Sequence, residues 1–412
     1  MNYKFCQILT ILVLFLWQMS SCTAQNNQTK GDNDAATTSV DIIQTGAERT
    51  SEYLPLLEGK KVALLINQTS VVPDAEGHWV SLVDTLLASE VDVRFVMAPE
   101  HGVEGLVSAG DAVGDQKLQN KKKDLQVYSL YGKNKKPQRE WLDQIDCVVF
   151  DVQDVGCRFY TYLSTLYYLL QACGECDKEV IVLDRPNPND TIDGPLLEDA
   201  FQSFVGMVRV PLLHGCTLGE LAQMMTQEHW IGDQLPQLQV ITASHWKHGD
   251  DYSLPIAPSP NLRSDHAIRL YPSLCLFEAT DISIGRGTDF PFEMIGHPEM
   301  TGDFTFVPHH CQAASHPLQE DKECHGCDLR EVNVGKGFHL QWLLACHQHF
   351  SAGDKAPYWV KQPKFFDRLA GTDKLRKQID EGVNETFIRA SWQKDLSDYR
   401  QLRKKYILYH ER

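Results

Sequence analysis

Five short apolar stretches are separated by segments of helical periodicity, and that alternation restricts the chain to a sheet built by crossover connections. The stretches are Lys60–Ile66, Val91–Met97, Leu125–Leu130, Cys147–Phe150 and Glu179–Leu183. Between the first two, Trp79, Val80, Leu82, Val83, Leu86 and Leu87 recur at helical spacing. Further helices are expected over about Gln138–Ile145 and Tyr160–Cys173. Strands that are apolar nearly throughout, rather than alternating with polar residues, predict a parallel sheet covered on both faces.

The loop at the end of each strand carries the chemistry. Asn67-Gln68 closes the first strand, Pro99-Glu100-His101-Gly102 the second, Asp151-Val152-Gln153-Asp154 a later one and Asp184-Arg185-Pro186-Asn187 the next. Asp and Asn suit helix caps and turns, which explains one such loop. Four in succession predict a polar pocket along the carboxyl ends of the strands, where open α/β sheets bind ligands. Gly-x-Gly-x-x-Gly is absent after the first strand, which disfavours a dinucleotide, and no cofactor is expected. A Gly-x-Ser-x-Gly elbow is absent too, and His309-His310 has no companion ligands, so neither a serine hydrolase nor a metal site is predicted.

With 39 basic and 55 acidic residues the formal charge is −16, and no basic stripe exists to bind nucleic acid. Ten cysteines remain beyond Cys6 and Cys22, including the pairs Cys173/Cys176 and Cys324/Cys327. These pairs lie too far apart for one zinc module, and no disulfide pairing can be deduced; Cys147 and Cys275, inside apolar runs, read as buried thiols. At the N-terminus, Lys4 precedes an apolar segment from Ile8 to Trp17, too short to span a bilayer but of signal-peptide size. It ends in Met19-Ser20-Ser21-Cys22, which resembles a bacterial lipobox with Cys22 as the lipidated residue. The expected organisation is a signal peptide over 1–21, a polar tether over 22–44, an α/β domain over 45–250 and a smaller α+β domain over 251–412. The boundary is placed where Pro255, Pro258 and Pro260 interrupt the regular alternation. Thr217-Leu218-Gly219-Glu220 has capping-box spacing and reads as structural. The charged end from Phe387 reads as a docked terminal element.

Taken together, Asn67-Gln68-Thr69, Pro99-Glu100-His101-Gly102, Tyr128-Ser129-Leu130-Tyr131-Gly132, the run from Phe150 to Tyr162, Leu183-Asp184-Arg185-Pro186-Asn187-Pro188, Pro258-Ser259-Pro260-Asn261 and the run from Gly285 to Glu293 resemble the YbbC-like family of exo-β-N-acetylmuramidases of the NamZ type. The match runs in order from about residue 45 to the end. Cys157 stands where that family commonly has Ala, and Glu278-Ala279-Thr280 replaces its commoner Glu-Gly-Thr. The resemblance implies a Rossmann-like domain followed by a smaller one, a site in the cleft at their junction, and release of N-acetylmuramic acid from the non-reducing end of peptidoglycan fragments.

Glycoside hydrolysis needs a proton donor, and then a nucleophile, a base or the substrate's own acetamido group. Glu100 is the first choice for the acid, with His101 orienting it or relaying a proton. For the second carboxylate Asp151, Asp154 and Glu293 compete, and Asp154 is favoured because its loop also bears Gln153 and Arg158. The lactyl carboxylate of muramic acid calls for a planar cation, offered by Arg158 and Arg286 with Arg185 behind them. Tyr160, Tyr162 and Asn261 are candidates for ring hydroxyls or the acetamido group, Asn67 and Gln68 for further contacts, and His214 is a second-tier candidate. A non-catalytic muropeptide-binding lipoprotein is the alternative reading, and the expected partners are muropeptides and, through the anchor alone, a membrane. Substituting Cys22→Ser is expected to abolish incorporation of labelled palmitate and release the protein from the membrane fraction; labelling that persists would remove the lipobox assignment.

Overall fold

A computed structural model describes residues 42–351 and 359–411; the signal segment, Cys22 and most of the tether lie outside the described residues. The strands are β1 (Lys61–Ile66), β2 (Val71–Pro73), β3 (Trp79–Ser81), β4 (Asp92–Ala98), β5 (Gln116–Leu118), β6 (Leu125–Ser129) and β7 (Cys147–Asp151). They continue with β8 (Glu179–Leu183), β9 (Ile192–Leu196), β10 (Pro211–His214), β11 (Gln237–Ile241), β12 (Met294–His297), β13 (Phe304–Phe306) and β14 (Cys324–Asp328). Seven form the main sheet in the order β11-β8-β7-β1-β4-β6-β5. All pair in parallel except β5, which runs antiparallel to β6 at the edge. Counting only the parallel strands, this is the doubly wound order 3-2-1-4-5-6, whose direction of winding reverses between β1 and β7.

The apolar runs explain the layering. Val62, Leu64 and Ile66 point into the core that holds Tyr53 and Leu86, while Ala63 and Leu65 point into the opposite core with Leu166 and Leu221. A strand buried on both sides gains from every residue, hence the lack of alternation. The second domain contributes a small antiparallel sheet in the order β12-β14-β13 and the helices Gln341–Ser351, Pro363–Ala370, Lys374–Asp380, Glu385–Ala390 and Gln393–Arg403.

Some boundaries differ from the sequence expectation. The segment beginning at Trp79 is first a strand: Val71 pairs with Ser81 and Pro73 with Trp79 in a hairpin. The helix starts at Leu82 because the Ser81 hydroxyl accepts from Val83 N at 3.2 Å and caps it. The helix expected over Gln138–Ile145 is a single turn, Arg139–Leu142, and the next one spans Tyr162–Glu175. Cys147 and Cys275 are buried, and Cys173, Cys176 and Cys324 carry no disulfide, so neither Cys-x-x-Cys pair is bridged.

The chain end docks on the first domain. Tyr399 Oη donates to His214 O at 2.8 Å, Tyr409 Oη to Asp184 Oδ2 at 2.7 Å and Leu408 N to Glu220 Oε1 at 2.9 Å. Glu220 also closes the expected capping box with Thr217. His248 lies buried between Asp190 (2.9 Å) and Glu220 (2.8 Å). Burial alone lowers its pKa, but the two carboxylates outweigh it and hold the imidazole at about 9. A pKa raised on folding contributes stability that is complete below about pH 6.5 and lost as pH rises through about 9, a loss of about 3 kcal/mol for this shift. Denaturant unfolding between pH 7 and 10 is expected to show this decline, and His248→Gln is expected to flatten it.

Candidate active site

Strand β4 delivers Glu100 to the carboxyl edge of the sheet through an unusual turn. His101 and Gly102 are both left-handed, with φ of 71° and 79°. For a residue with a side chain this costs on the order of 1 kcal/mol and needs support from its surroundings. Val107 supplies it: its carbonyl lies 2.7 Å from His101 Nδ1, and its N–H donates to His101 O at 3.2 Å. Burial keeps the imidazole below its ordinary pKa, against the opposing pull of Glu100.

The Glu100 carboxyl is fixed by uncharged donors. Thr161 Oγ1 donates to Oε2 at 2.6 Å and Gly110 N to Oε1 at 3.0 Å. Thr161 holds the N-cap position of the helix Tyr162–Glu175, yet its side chain makes no capping bond there. Its hydroxyl serves Glu100 instead. The phenol of Tyr131 lines the same cavity, and burial together with the Glu100 carboxylate raises its pKa well above the usual range.

These groups open on a cavity of about 340 Å³ at the domain junction. Glu100, His101, Tyr131 and Thr161 line it from the first domain, Glu278 and Arg286 from the second, with the rings of Phe159, Tyr160, Tyr271 and Phe292 as apolar walls. Gly285 and Gly287 flank Arg286 with φ of 80° and 82°, and a Cβ on Gly287 would meet His309 O at 2.5 Å, so glycine is required there. The Arg286 guanidinium sits 4.9 Å from the centre of the Phe292 ring and donates from Nε to Glu278 Oε1 at 3.0 Å. Burial works against its charge, but Glu278 more than compensates and raises its pKa. Arg286 Nη1 and Glu278 Oε2 carry no hydrogen bond among the described residues and remain for a ligand. Among the described residues, the group Asp74, Glu76 and His78 has metal-ligand spacing, but it is exposed, and Asp74 Oδ1 accepts from the N–H groups of Glu76 and His78 in the β2–β3 turn.

Of the residues expected at the site, Glu100, His101, Tyr160 and Arg286 line this cavity; the others do not. Asp154 accepts from Gly156 N at 2.6 Å and faces His214 at 3.5 Å, outside this cavity, where the carboxylate lining the wall beside Glu100 is Glu278. Asp151 and Arg185 are buried in a two-point ion pair, with Nη2 to Oδ2 at 2.9 Å, and neither lines the cavity. Arg158, expected to bind the lactyl carboxylate, is fully buried and donates to the carbonyls of Pro195 (2.8 Å), Val210 (2.9 Å) and Leu369 (3.1 Å). Burial lowers its pKa to about 9. Gln153 donates to Asp154 O and Pro186 O, Asn67 accepts from Thr69, and Gln68 donates to Ala257 O. Tyr162 shares the Pro258 carbonyl with Tyr160, Asn261 donates to Ala313 O, and Glu293 accepts from Ser264 at a helix start.

Tyr131, Thr161 and Glu278 were not expected at the site from sequence. Each lies in or beside a recognised motif, but only the direction of its side chain sets it apart from its neighbours.

A doubly wound α/β domain joined to a smaller α+β domain, with carboxyl groups from each facing one enclosed cavity, is the class of protein that fold and site define. The chain belongs to the NamZ family. Residues 62–266 match the N-terminal and 269–409 the C-terminal domain of exo-β-N-acetylmuramidase NamZ. It is 36% identical over 387 residues to the peptidoglycan β-N-acetylmuramidase NamZ of Bacillus subtilis, covering 89% of this chain and 91% of that one. Two DUF1343-family crystal structures from Bacteroides fragilis are similar: one at 37% identity and TM-score 0.78, covering 90% of this chain and all of that one, the other at 31% and 0.76, covering 89% and 99%.

Arg158→Ala would strand three buried carbonyls and leave a hole. It is expected to cost about 3–5 kcal/mol in denaturant unfolding. A variant of wild-type stability with impaired substrate binding would instead make Arg158 a ligand contact.

Proposed function

We propose that this protein is an exo-acting glycoside hydrolase that releases N-acetylmuramic acid from the non-reducing end of peptidoglycan fragments. The observation that carries this reading is the pairing of Glu100 with Glu278 across one cavity whose wall also holds Arg286. Glu278 is committed to an ion pair, whereas Glu100 meets only neutral donors and is the carboxyl assigned to protonate the glycosidic oxygen. Glu278 Oε2 faces the positive charge that develops at the anomeric carbon in an oxocarbenium-like transition state. Arg286 Nη1 supplies the cation for the lactyl carboxylate, which distinguishes muramic acid from glucosamine. The aromatic walls keep bulk water from these charges, which strengthens them.

The signal segment and Cys22 support a further part of the reading: export on a lipid anchor into the compartment where peptidoglycan is turned over. Muropeptides are then both substrate and partner.

Purified protein is expected to release free N-acetylmuramic acid from a muramic-acid-terminated disaccharide, read by mass spectrometry, and Glu100→Gln to slow release about a thousandfold. Binding without release by the wild type would favour the non-catalytic muropeptide carrier. Unchanged release by the variant would remove the acid role alone.

A further inference from the structure

The walls formed by Ala109, Glu278 and Arg286 belong to two hollows: the junction cavity that holds Glu100 and a second of about 250 Å³. The second is bounded by loops from both domains. Ser315 Oγ donates to Asp111 Oδ2 at 2.9 Å and Ser315 N to Ser108 Oγ at 3.3 Å, so the loops clasp each other across the domain junction. Gly110, on the same loop, donates to Glu100.

A carboxyl group that acts on a glycosidic bond stands beside that bond, with one sugar on each side. Glu278 faces both hollows, so the bond to be cut crosses their boundary. The enclosed hollow, with Glu100 and the aromatic walls, suits the muramic residue. We propose that the second hollow is the subsite for the departing sugar, an N-acetylglucosamine unit; this rests on the muramidase reading. Its chemistry fits a neutral polyhydroxy ligand: it offers the Ser108 and Ser315 hydroxyls, the Asp111 carboxylate and the exposed imidazole of His316, while the free Nη1 of Arg286 is assigned to the lactyl carboxylate of the muramic residue. An acidic stem peptide would meet the Asp111 carboxylate there.

The test compares the N-acetylmuramyl-N-acetylglucosamine disaccharide with 4-nitrophenyl β-N-acetylmuramide, whose leaving group needs no sugar contacts. Ser315→Ala and His316→Ala are each expected to lower the disaccharide-to-aryl ratio of kcat/KM about tenfold, the effect of losing a hydrogen bond or two. A ratio that stays constant in both variants overturns the proposal, whether both rates fall, as they would if the clasp only positions Glu100, or neither does. A loss seen only when the disaccharide carries a stem peptide overturns it too, making the hollow a peptide site. A wild type that cleaves neither substrate fails the muramidase reading itself, a result distinct from a constant ratio.

Discussion

The buried guanidinium of Arg158 is the joint on which the arrangement depends. It is tied to the carbonyls of Pro195 in β9, Val210 just before β10 and Leu369 in the helix Pro363–Ala370, so one side chain fastens the first domain to the second. Gly371 is left-handed at φ 77°, and a Cβ there would meet Arg158 Nη2 at 2.4 Å, so the chain turns against the guanidinium face with no room to spare. An unpaired buried cation is costly, and among the described residues carbonyl dipoles alone offset it. The next residues in the chain, Phe159, Tyr160 and Thr161, line the cavity or hold its acid, and Leu369 itself lines it from the other side. A cation that looks like a ligand contact in sequence instead sets the geometry of the site from behind.

The winding of the sheet reverses between β1 and β7, and doubly wound proteins commonly place their ligand at that crevice. Here it is filled by protein. Ser70 and Gln153 bond across from the two strand ends, Asp151 is consumed by Arg185, and Tyr160 and Tyr162 both donate to Pro258 O from the segment leading into the second domain. The polar clusters expected to form a pocket are therefore divided. Those at the switch point are turned toward other protein groups, and the one after β4, a strand farther out, opens on the junction cavity.

This division shows why the fold was more legible than the site. Aliphatic runs such as Val62–Ile66 are read directly from hydrophobicity, because burial on both faces leaves no other composition possible. The place of Glu100 on the cavity was also legible, since with His101 it falls between the end of a strand and a glycine. Asp151, Asp154 and Arg158 share one loop with Thr161, and nothing in composition distinguishes a carboxylate that faces a cavity from one that faces an arginine. The difference is made by rotamer and by long-range partners such as Arg185 and Leu369, which lie tens to hundreds of residues away. Glu278 carried the weakest local signal of all: it emerges from a short 3₁₀ turn, and its importance depends on Arg286, eight residues on, meeting it in space.

Placing the two carboxyl groups on separate domains makes their spacing a property of the interface rather than of either fold. Displacements of about 1 Å are enough to cost an enzyme two orders of magnitude, so the junction must be rigid at that scale. Three kinds of contact supply this. Arg158 clamps the far side through carbonyls, the paired tyrosine hydroxyls hold the connecting segment, and the Ser108–Asp111–Ser315 clasp closes the near side beside Gly110. The first two are buried and insensitive to solvent, while the clasp is partly exposed and made of weak single hydrogen bonds. Of the three, the clasp is therefore the weakest, and it is the one that borders the second hollow and shares its loop with Gly110, which donates to Glu100.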